Sequence, residues 1–328
     1  MNQRPFKAVV TTATPHSARI GITQRGLTLI EMMVALVLGL LIAAAAVAAL
    51  IVGRQGFTSV DSSSQLRENA RFASSIIQRI TVQAGFENAA YGFFTSDKLP
   101  GLRGYDNALV TAGSGDTGLA HGNRSSCAVT DTSCVNGSDV LIVRYWGATR
   151  SGTAADSSMI NCSGQAEPEG TDRAYSIFHV RASASGEPTL VCTYRDSSGN
   201  WQDVPLVAGV EGFQILYGVD NVTPNVGSAD ATTGADSIPD RYLHASQLDA
   251  AGAYNANNWS RVRSVRIGLL VRGPVGSAAE RVSRVFNVLG DGYTDSTDSG
   301  AALTAPADGR LQQQLVFTIH LRNPQYSP

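Results

Sequence analysis

The most pronounced pattern along the chain is an uninterrupted apolar stretch at residues 27–53. Its 27 residues include one charged side chain, that of Glu31. An α-helix of this length exceeds the roughly 20 residues that are needed to cross about 30 Å of hydrocarbon. The pattern therefore predicts a transmembrane helix that carries a carboxylate near its beginning.

Helical periodicity continues through residues 54–85, but there only one face is apolar. No proline interrupts residues 57–82, and arginine, glutamate and glutamine occupy much of the remaining face. This pattern predicts an amphipathic continuation of the helix that packs on a folded core, with Gly85 as a candidate C-cap. The apolar stripe recurs at three- and four-residue spacing: Leu66, Ala70, Ala73, Ile77 and Ile80.

After residue 137 the apolar period shortens towards two, which is typical of β-strands. The last segment alternates most cleanly and predicts a sheet with one covered face, with the amphipathic helix as its cover. We therefore predict an α+β fold, in which the long N-terminal helix packs on an antiparallel β-sheet with long loops. The candidate strands are residues 140–146, 175–181, 189–194, 213–219, 262–271, 282–288 and 315–321.

The segments before and between these strands are polar. Residues 86–137 are predicted to form a long irregular segment, and residues 220–260 a polar insertion with a short helix near 245–251. Glycine, serine and asparagine at 196–200 and 273–278 predict turns. Residues 86–328 then form a β-rich globular domain.

Charge is distributed unevenly around the apolar stretch. Four basic residues and no acid precede it: Arg4, Lys7, Arg19 and Arg25. By the positive-inside rule, the leader at residues 1–26 lies in the cytoplasm and the globular domain is periplasmic. Removing these four positive charges would change the formal net charge from −2 to −6. The later arginines are scattered among acids, so no basic stripe predicts nucleic-acid binding.

The four cysteines follow the apolar stretch, which is the pattern of disulfides in an oxidising compartment. No pair has the spacing of a zinc site, and the five histidines are dispersed, so we predict no metal centre. The simplest pairing joins the first two to each other and the last two to each other. In chain order they are Cys127, Cys134, Cys162 and Cys192.

Motifs for catalysis are not evident in the sequence. It contains no GxSxG, GxxxxGK[ST] or HExxH segment, and we predict neither an enzyme nor a cofactor site. Oxygen ligands of the kind that calcium prefers cluster at residues 220–240. Their spacing matches no EF-hand, which favours a solvated polar loop. These ligands are Asp220, Asn221, Asn225, Asp230, Asp236 and Asp240.

The residues around the start of the apolar stretch are Arg25-Gly26-Leu27-Thr28-Leu29-Ile30-Glu31. An ordinary signal peptide is cleaved after its apolar run, at small residues. This segment instead resembles the type IV prepilin processing motif, which a membrane peptidase cuts after the glycine. The resemblance implies cleavage between Gly26 and Leu27, N-methylation of Leu27, and retention of the whole apolar helix in the mature protein.

Two interpretations of Glu31 follow. A carboxylate in a bilayer costs on the order of 2.5–3.5 kcal/mol, so it usually serves a partner. The resemblance supplies one, the terminal amine of a neighbouring subunit or of the same chain. The alternative is that the helix dipole and the membrane interface accommodate the carboxylate near the helix start. The flanking motif favours the assembly role.

Segments along the mature chain are similar to the PilW family of minor pilins. They include Arg67-Glu68-Asn69-Ala70-Arg71-Phe72-Ala73 and residues 138–145, 205–220, 265–272, 284–286 and 321–323. The resemblance implies a minor pilin that primes pilus assembly in a complex with other minor pilins and the major pilin. It would be processed by prepilin peptidase, reside in the inner membrane, and then reach the pilus at the cell surface.

Two other functions remain open on the sequence. A large pseudopilin of a type II secretion system carries the same processing motif, and its gene neighbourhood would distinguish it. A periplasmic adhesin or enzyme held by an uncleaved anchor would show no processing at Gly26 and would tolerate replacement of Glu31.

Overall fold

One long helix, α1 (Leu29–Thr81), contributes residues to both compact units of the chain, Met1–Arg54 and Gln55–Pro328. The computed structural model describes residues 26–87, 99–110, 135–149, 154–168, 173–229, 234–249, 253–293, 295–323 and 325. In the first unit, every described residue is exposed. The helix there contains the apolar stretch predicted from the sequence, and it is long and apolar enough to cross a membrane.

The part of α1 in the second unit is amphipathic, as predicted. Its predicted apolar stripe, from Leu66 to Ile80, is buried at 5% exposure or less at each of its five positions. The helix ends at Thr81, and a turn follows in which Gly85 adopts a positive φ of 69°. The backbone N–H of Gly85 donates to the carbonyl of Arg144 at 2.9 Å, which fastens the end of the helix to a strand. Gly85 thus closes the turn after the helix instead of capping its last residue directly.

The strands form two main antiparallel sheets instead of the one that the sequence predicted. The first sheet has five strands in chain order, each paired with the next. Its strands are β1 (Leu102–Tyr105), β2 (Val140–Tyr145), β3 (Ala174–Ala182), β4 (Pro188–Arg195) and β5 (Trp201–Ala208).

The remaining strands are β6 (Val210–Val219), β7 (Arg241–Leu243), β8 (Val262–Arg272), β9 (Arg284–Asn287), β10 (Ala302–Ala305) and β11 (Gln312–His320). The second sheet has the order β11-β8-β6-β7, and a separate two-stranded sheet pairs β10 with β9. In the second sheet, Phe213 and Leu315 both lie opposite Leu269 in the register. Two short helices, α2 (Ala245–Leu248) and α3 (Ala256–Ser260), lie between β7 and β8.

The main core of the second unit joins the buried stripe of α1 to residues of both sheets, among them Phe178 of β3 and Ile267 of β8. The alternating face predicted for the last strand packs against the same core: Leu315, Phe317, Ile319 and Leu321. The helix therefore covers sheet residues as the amphipathic pattern indicated.

Four strands and one helix went unpredicted, namely β1, β5, β7, β10 and α3. β5 contains Asp203 and Pro205 and lies at the edge of its sheet, where a strand tolerates proline and lacks clean alternation. β1, β7 and β10 have only three or four residues, too few for a periodic signal. The polar region 220–260 consequently holds more structure than predicted, whereas the turns at 196–200 and 273–278 are confirmed.

A disulfide joins Cys162 to Cys192 of β4, with 6.1 Å between the Cα atoms. This is one of the two predicted pairings. Cys127 and Cys134 lie outside the described residues, so their pairing stays a prediction.

Candidate functional site

The start of α1 is organised by Thr28. Its carbonyl accepts hydrogen bonds from the backbone N–H groups of Glu31 and Met32, at 3.1 and 3.2 Å. Its hydroxyl Oγ1 lies 3.4 Å from the Glu31 nitrogen. Thr28 thus occupies the N-cap position, and Glu31 stands three residues later, as in a capping box. Glu31 is the acidic residue in the first turn, where the helix dipole favours a negative charge.

Gly26 and Leu27 precede the helix and are both exposed, Leu27 at 73%. A Cβ atom added at Gly26 would meet no described atom within 4 Å. Packing within the described structure therefore does not require a glycine at this position. A requirement for glycine there would come from a molecule that handles the segment, such as a peptidase that binds it closely.

Glu31 is exposed, and among the described residues its carboxylate has neither a hydrogen-bond nor an ion-pair partner. The apolar residues that follow it are exposed as well, including Leu36 at 70% and Leu40 at 66%. A helix that is apolar on all sides is stable when a membrane or other helices surround it. The surface of the first unit is consequently suited to a lipid environment or to a bundle of similar helices.

A second group of residues, in the globular unit, was not predicted from the sequence. The Asp106 carboxylate lies 2.7 Å from Nδ1 of His244 and accepts hydrogen bonds from the backbone N–H groups of Ala245 and Ser246, each at 2.8 Å. Nε2 of His244 lies 4.0 Å from the carboxylate of Asp295. This histidine cluster joins the segment after β1, the start of α2 and the loop after β9.

Two pKa values in the histidine cluster move in opposite directions. Burial alone would raise the pKa of Asp106, but the hydrogen bond and charge of His244 outweigh it and lower that pKa. Burial alone would lower the pKa of His244, yet the hydrogen bond to Asp106 and the nearby carboxylates raise it. The structure therefore favours a charged pair of His244 and Asp106.

Two neighbouring carboxyl groups, those of Asp298 and Asp139, have raised pKa values, in contrast to Asp106. Burial raises the pKa of Asp298 to about 6, although its hydrogen bond from the Tyr293 hydroxyl acts in the other direction. Burial, together with the charges of Asp106 and Asp298, raises the pKa of Asp139 well above its ordinary value. Asp139 accepts hydrogen bonds from backbone N–H groups on both sides, those of Asn107 and Ile215. These contacts link the first sheet to the second and indicate a structural role.

Comparisons with known families match two parts of the chain. A family model described as Type IV Pilus-assembly protein W matches residues 177–323, which span most of β3 and all later strands. A second, the Prokaryotic N-terminal methylation motif, matches residues 23–47, which include Gly26, Leu27 and Glu31. This chain is a PilW-like type IV pilin. A comparison with curated proteins and one with solved structures each returned no match.

For a PilW-like pilin, the two matches imply processing by prepilin peptidase and interaction with other pilins. The apolar helix and the motif together indicate anchoring in a membrane. Pilin-family domains are generally structural proteins. The PilW match covers the resemblance noted at residues 205–220, 265–272, 284–286 and 321–323, while the segments at 67–73 and 138–145 lie before it.

In the oxygen-rich loop at residues 220–240 of this PilW-like chain, backbone N–H groups of the loop itself bind the carboxylates of Asp220 and Asp240. The buried Asp220 carboxylate accepts hydrogen bonds from the N–H groups of Asp236 and Ser237, at 3.2 and 2.7 Å, and pairs with Arg263 at 3.3 Å. Asp240 accepts from the N–H of Asn221 at 2.6 Å. Within the described ranges no three acidic, histidine or cysteine side chains form a group that could hold a metal ion. Asp230 lies outside these ranges.

Proposed function

We propose that this PilW-like pilin is a minor pilin that primes type IV pilus assembly in a complex with other minor pilins. The observation that carries the proposal is the first unit, an exposed apolar helix that carries one acidic residue directly after the processing motif. A permanent anchor needs the apolar surface but not the carboxylate, which costs free energy in a bilayer. A helix that must also enter a bundle of subunits has a use for both.

The N-terminus of the mature chain would arise by cleavage between Gly26 and Leu27 by prepilin peptidase. The new amine on Leu27, which we expect to be N-methylated, is positively charged and lies one helical turn before Glu31 in sequence. In the low dielectric of a membrane or helix bundle, an ammonium and a carboxylate attract each other far more strongly than in water. The amine of one subunit would therefore select the Glu31 carboxylate of its neighbour or of its own chain.

Assembly would move the helix at residues 27–53 from the inner membrane into the filament core. Both environments are apolar, so this transfer exposes little apolar surface to water. The globular domain, periplasmic before assembly, would then reach the cell surface at or near the pilus tip, next to other minor pilins and the major pilin.

The first experiment determines the N-terminal sequence and mass of the protein from cells with and without prepilin peptidase. We expect a peptidase-dependent N-terminus at methylated Leu27. Gly26→Val should block cleavage, whereas Gly39→Val, a matched change inside the exposed helix, should leave it intact. An unprocessed N-terminus in both strains would favour an anchored adhesin or enzyme instead.

The second experiment separates processing from assembly. Glu31→Gln should be cleaved normally but should abolish recovery of the protein in sheared pili and reduce the number of pili. The matched control, Glu68→Gln, changes another exposed glutamate of α1 and should behave like the unmodified chain. Normal piliation with Glu31→Gln would contradict the assembly role of this carboxylate. Dependence of type II secretion, instead of piliation, on the chain would indicate a pseudopilin.

A further inference from the structure

A small pocket of about 280 Å³ lies at the end of α1 in the globular unit. Its walls come from three parts of the chain: the last turn of the helix with the turn that follows, residues 158–160, and the segment after β11. Its lining side chains are of three kinds. The apolar ones are Val82, Phe86, Met159 and Ile160, the cationic ones are Arg79 and Arg322, and the uncharged polar ones are Gln83, Ser158 and Asn323.

The pocket is built on fixed backbone. The amide of Gln83 makes two hydrogen bonds with the backbone of Ile160, donating to its carbonyl at 3.1 Å and accepting from its N–H at 2.9 Å. The Tyr145 hydroxyl also donates to the Ile160 carbonyl, at 2.7 Å. Two residues further on, Cys162 is tied to β4 by the disulfide. On the other wall, Asn323 donates to the carbonyl of Ala84 at 3.1 Å.

The two arginines differ from most buried or half-buried arginines of the globular unit. Arg272 and Arg310 both pair with Glu187, at 2.9 and 3.2 Å, and Arg103 pairs with Asp249 at 3.2 Å. Arg79 and Arg322 are exposed, and among the described residues neither guanidinium makes an ion pair or a hydrogen bond. Both line one concavity, together with four apolar and three uncharged polar side chains.

We propose that this pocket, the arginine pocket, binds an acidic segment of a neighbouring pilin in the priming complex. A carboxylate of that segment would lie between Arg79 and Arg322, and an adjacent apolar side chain would contact Phe86 and Met159. A guanidinium matches a carboxylate with two parallel hydrogen bonds, which gives orientation as well as attraction. The inference rests on the proposed function, because that function supplies the neighbouring pilin.

With a volume of about 280 Å³, the arginine pocket has room for one or two protein side chains. A pair of cations beside apolar surface also differs from the extended basic groove that single-stranded nucleic acid requires. An acidic and apolar protein segment therefore fits the site best.

The test places a photo-crosslinking benzoylphenylalanine at Met159 of the full chain, in cells that assemble the pilus. We expect an ultraviolet-dependent crosslink to another protein with a prepilin motif, identified by mass spectrometry. Arg79→Glu combined with Arg322→Glu should lower the crosslink yield about tenfold, because like charges at an interface repel. In this doubly changed variant, replacing the acidic residue of the partner at the crosslink with arginine should restore the yield.

The matched control combines Arg71→Glu with Arg284→Glu, two exposed arginines on α1 and β9 that do not line the pocket. This variant should keep the crosslink within about twofold of the unmodified chain. A non-reducing gel and protease resistance check that each variant folds, and Arg79→Gln with Arg322→Gln replaces the reversal if it does not accumulate. No crosslink, a crosslink only to lipid or to a protein without the motif, or equal loss in both variants would overturn the proposal.

The proposed function can fail separately. If Gly26 is not processed and no pili depend on the chain, the function itself is wrong. If processing and piliation occur normally but the pocket variants leave both the crosslink and piliation unchanged, the arginine pocket alone is excluded as a docking site.

Discussion

The two units of this PilW-like pilin treat apolar surface in opposite ways. In α1, the residues up to Arg54 expose every side chain to the surroundings, and the buried positions of the helix begin only at Ser62. In the globular unit, the stripe of the same helix is buried in a main core with apolar residues of both sheets, and other strand residues are buried in two smaller clusters. The apolar side chains of the first unit can therefore be buried only by other molecules, whereas those of the second unit are buried mainly against one another.

The two units also differ in how they accommodate charge. Arg103 of the globular unit is 4% exposed, and it is compensated by Asp249 at 3.2 Å and by the ring of Tyr254 at 4.0 Å from its guanidinium carbon. Glu31 has no such compensation in the described chain. A charge that enters an apolar environment needs a partner. The comparison supports our proposal that the partner of Glu31 comes from another molecule or from the processed N-terminus.

The largest expected effect is on the core of the globular unit. Trp259 is fully buried, donates from Nε1 to Asp249 at 2.8 Å, and packs edge-on against Tyr217 with 4.9 Å between ring centroids. Trp259→Ala should lower the free energy of unfolding by about 3–5 kcal/mol. Leu40→Ala, in the exposed helix, should change it by less than about 0.5 kcal/mol. Denaturant titration of the full chain in detergent measures both, and equal losses would contradict the division into two units.

The next largest effect is expected for a charge placed in the apolar helix, which should make membrane insertion less favourable. Leu40→Lys should make membrane insertion less favourable by about 2.5–3.5 kcal/mol, because the ammonium would lie at the helix centre in hydrocarbon. Val226→Lys introduces the same charge at an exposed position of the globular unit and should leave insertion unchanged. The measurement is the fraction of protein that resists alkaline extraction from membranes. Full retention of the Leu40 variant would show that the helix does not span a bilayer.

The histidine cluster predicts a dependence on pH that only the globular unit can show. The pKa values of Asp298 and His244 are raised on folding, so their contribution to stability is complete below the unfolded values and is lost as the pH rises. For Asp298 the loss falls between pH 3.8 and about 6, and for His244 it begins near its ordinary pKa of 6.5. The pKa of Asp106 is lowered on folding, so its contribution to stability is present above pH 3.8 and is lost as the pH falls below that value.

We therefore expect the globular unit to be more stable at pH 5 than at pH 8. Asp298→Asn should reduce the difference between these two values by about 1–2 kcal/mol, allowing for screening by solvent. Denaturant midpoints at several pH values test this, with Asp196→Asn as the control. Asp196 is far along the chain from the cluster, and the hydrogen bond from the Asn200 backbone lowers its pKa, so it stays charged at both pH values. A profile that is unchanged in the Asp298 variant would show that this carboxyl group does not titrate as described.

The smallest expected effect concerns the start of α1. Thr28→Ala removes the N-cap oxygen and should destabilise the first turn by about 1 kcal/mol, with no change in the stability of the globular unit. Hydrogen exchange of the Glu31 and Met32 amides should become about fivefold faster. Ser74→Ala, which removes a side-chain bond to the Arg71 carbonyl in mid-helix, should leave these amides unaffected. Unchanged exchange in the Thr28 variant would mean that this hydroxyl contributes nothing to the helix start.

Local patterns in the sequence were sufficient for the helix and for the strands with a strong signal. The stripe from Leu66 to Ile80 and the alternation of β11 are confirmed because each reflects one element that faces one core. β5 was not predicted because it is an edge strand, which tolerates proline and polar residues and so lacks a clean alternation of apolar positions. The division into two sheets was missed for a different reason, since pairing joins residues that are distant in sequence.

The candidate sites divide in the same way. Gly26, Leu27 and Glu31 lie within six consecutive residues, so a motif could identify them. Asp106 and His244 are separated by 138 positions, and Arg79 and Arg322 by a larger interval, and no spacing rule relates such residues. The Cys162–Cys192 bridge was predictable because only a few pairings were possible and both cysteines follow the apolar stretch.

The apolar helix, its single carboxylate, the processing motif and the α+β class follow from the sequence, because each depends on residues that are neighbours along the chain or repeat with a fixed period. Three features required the folded structure: the partition of strands between two sheets, the pairing of His244 with Asp106, and the position of Arg79 and Arg322 in one pocket. These features depend on which distant segments the core brings together. That choice is made by the packing of the whole globular unit, and no local pattern records it.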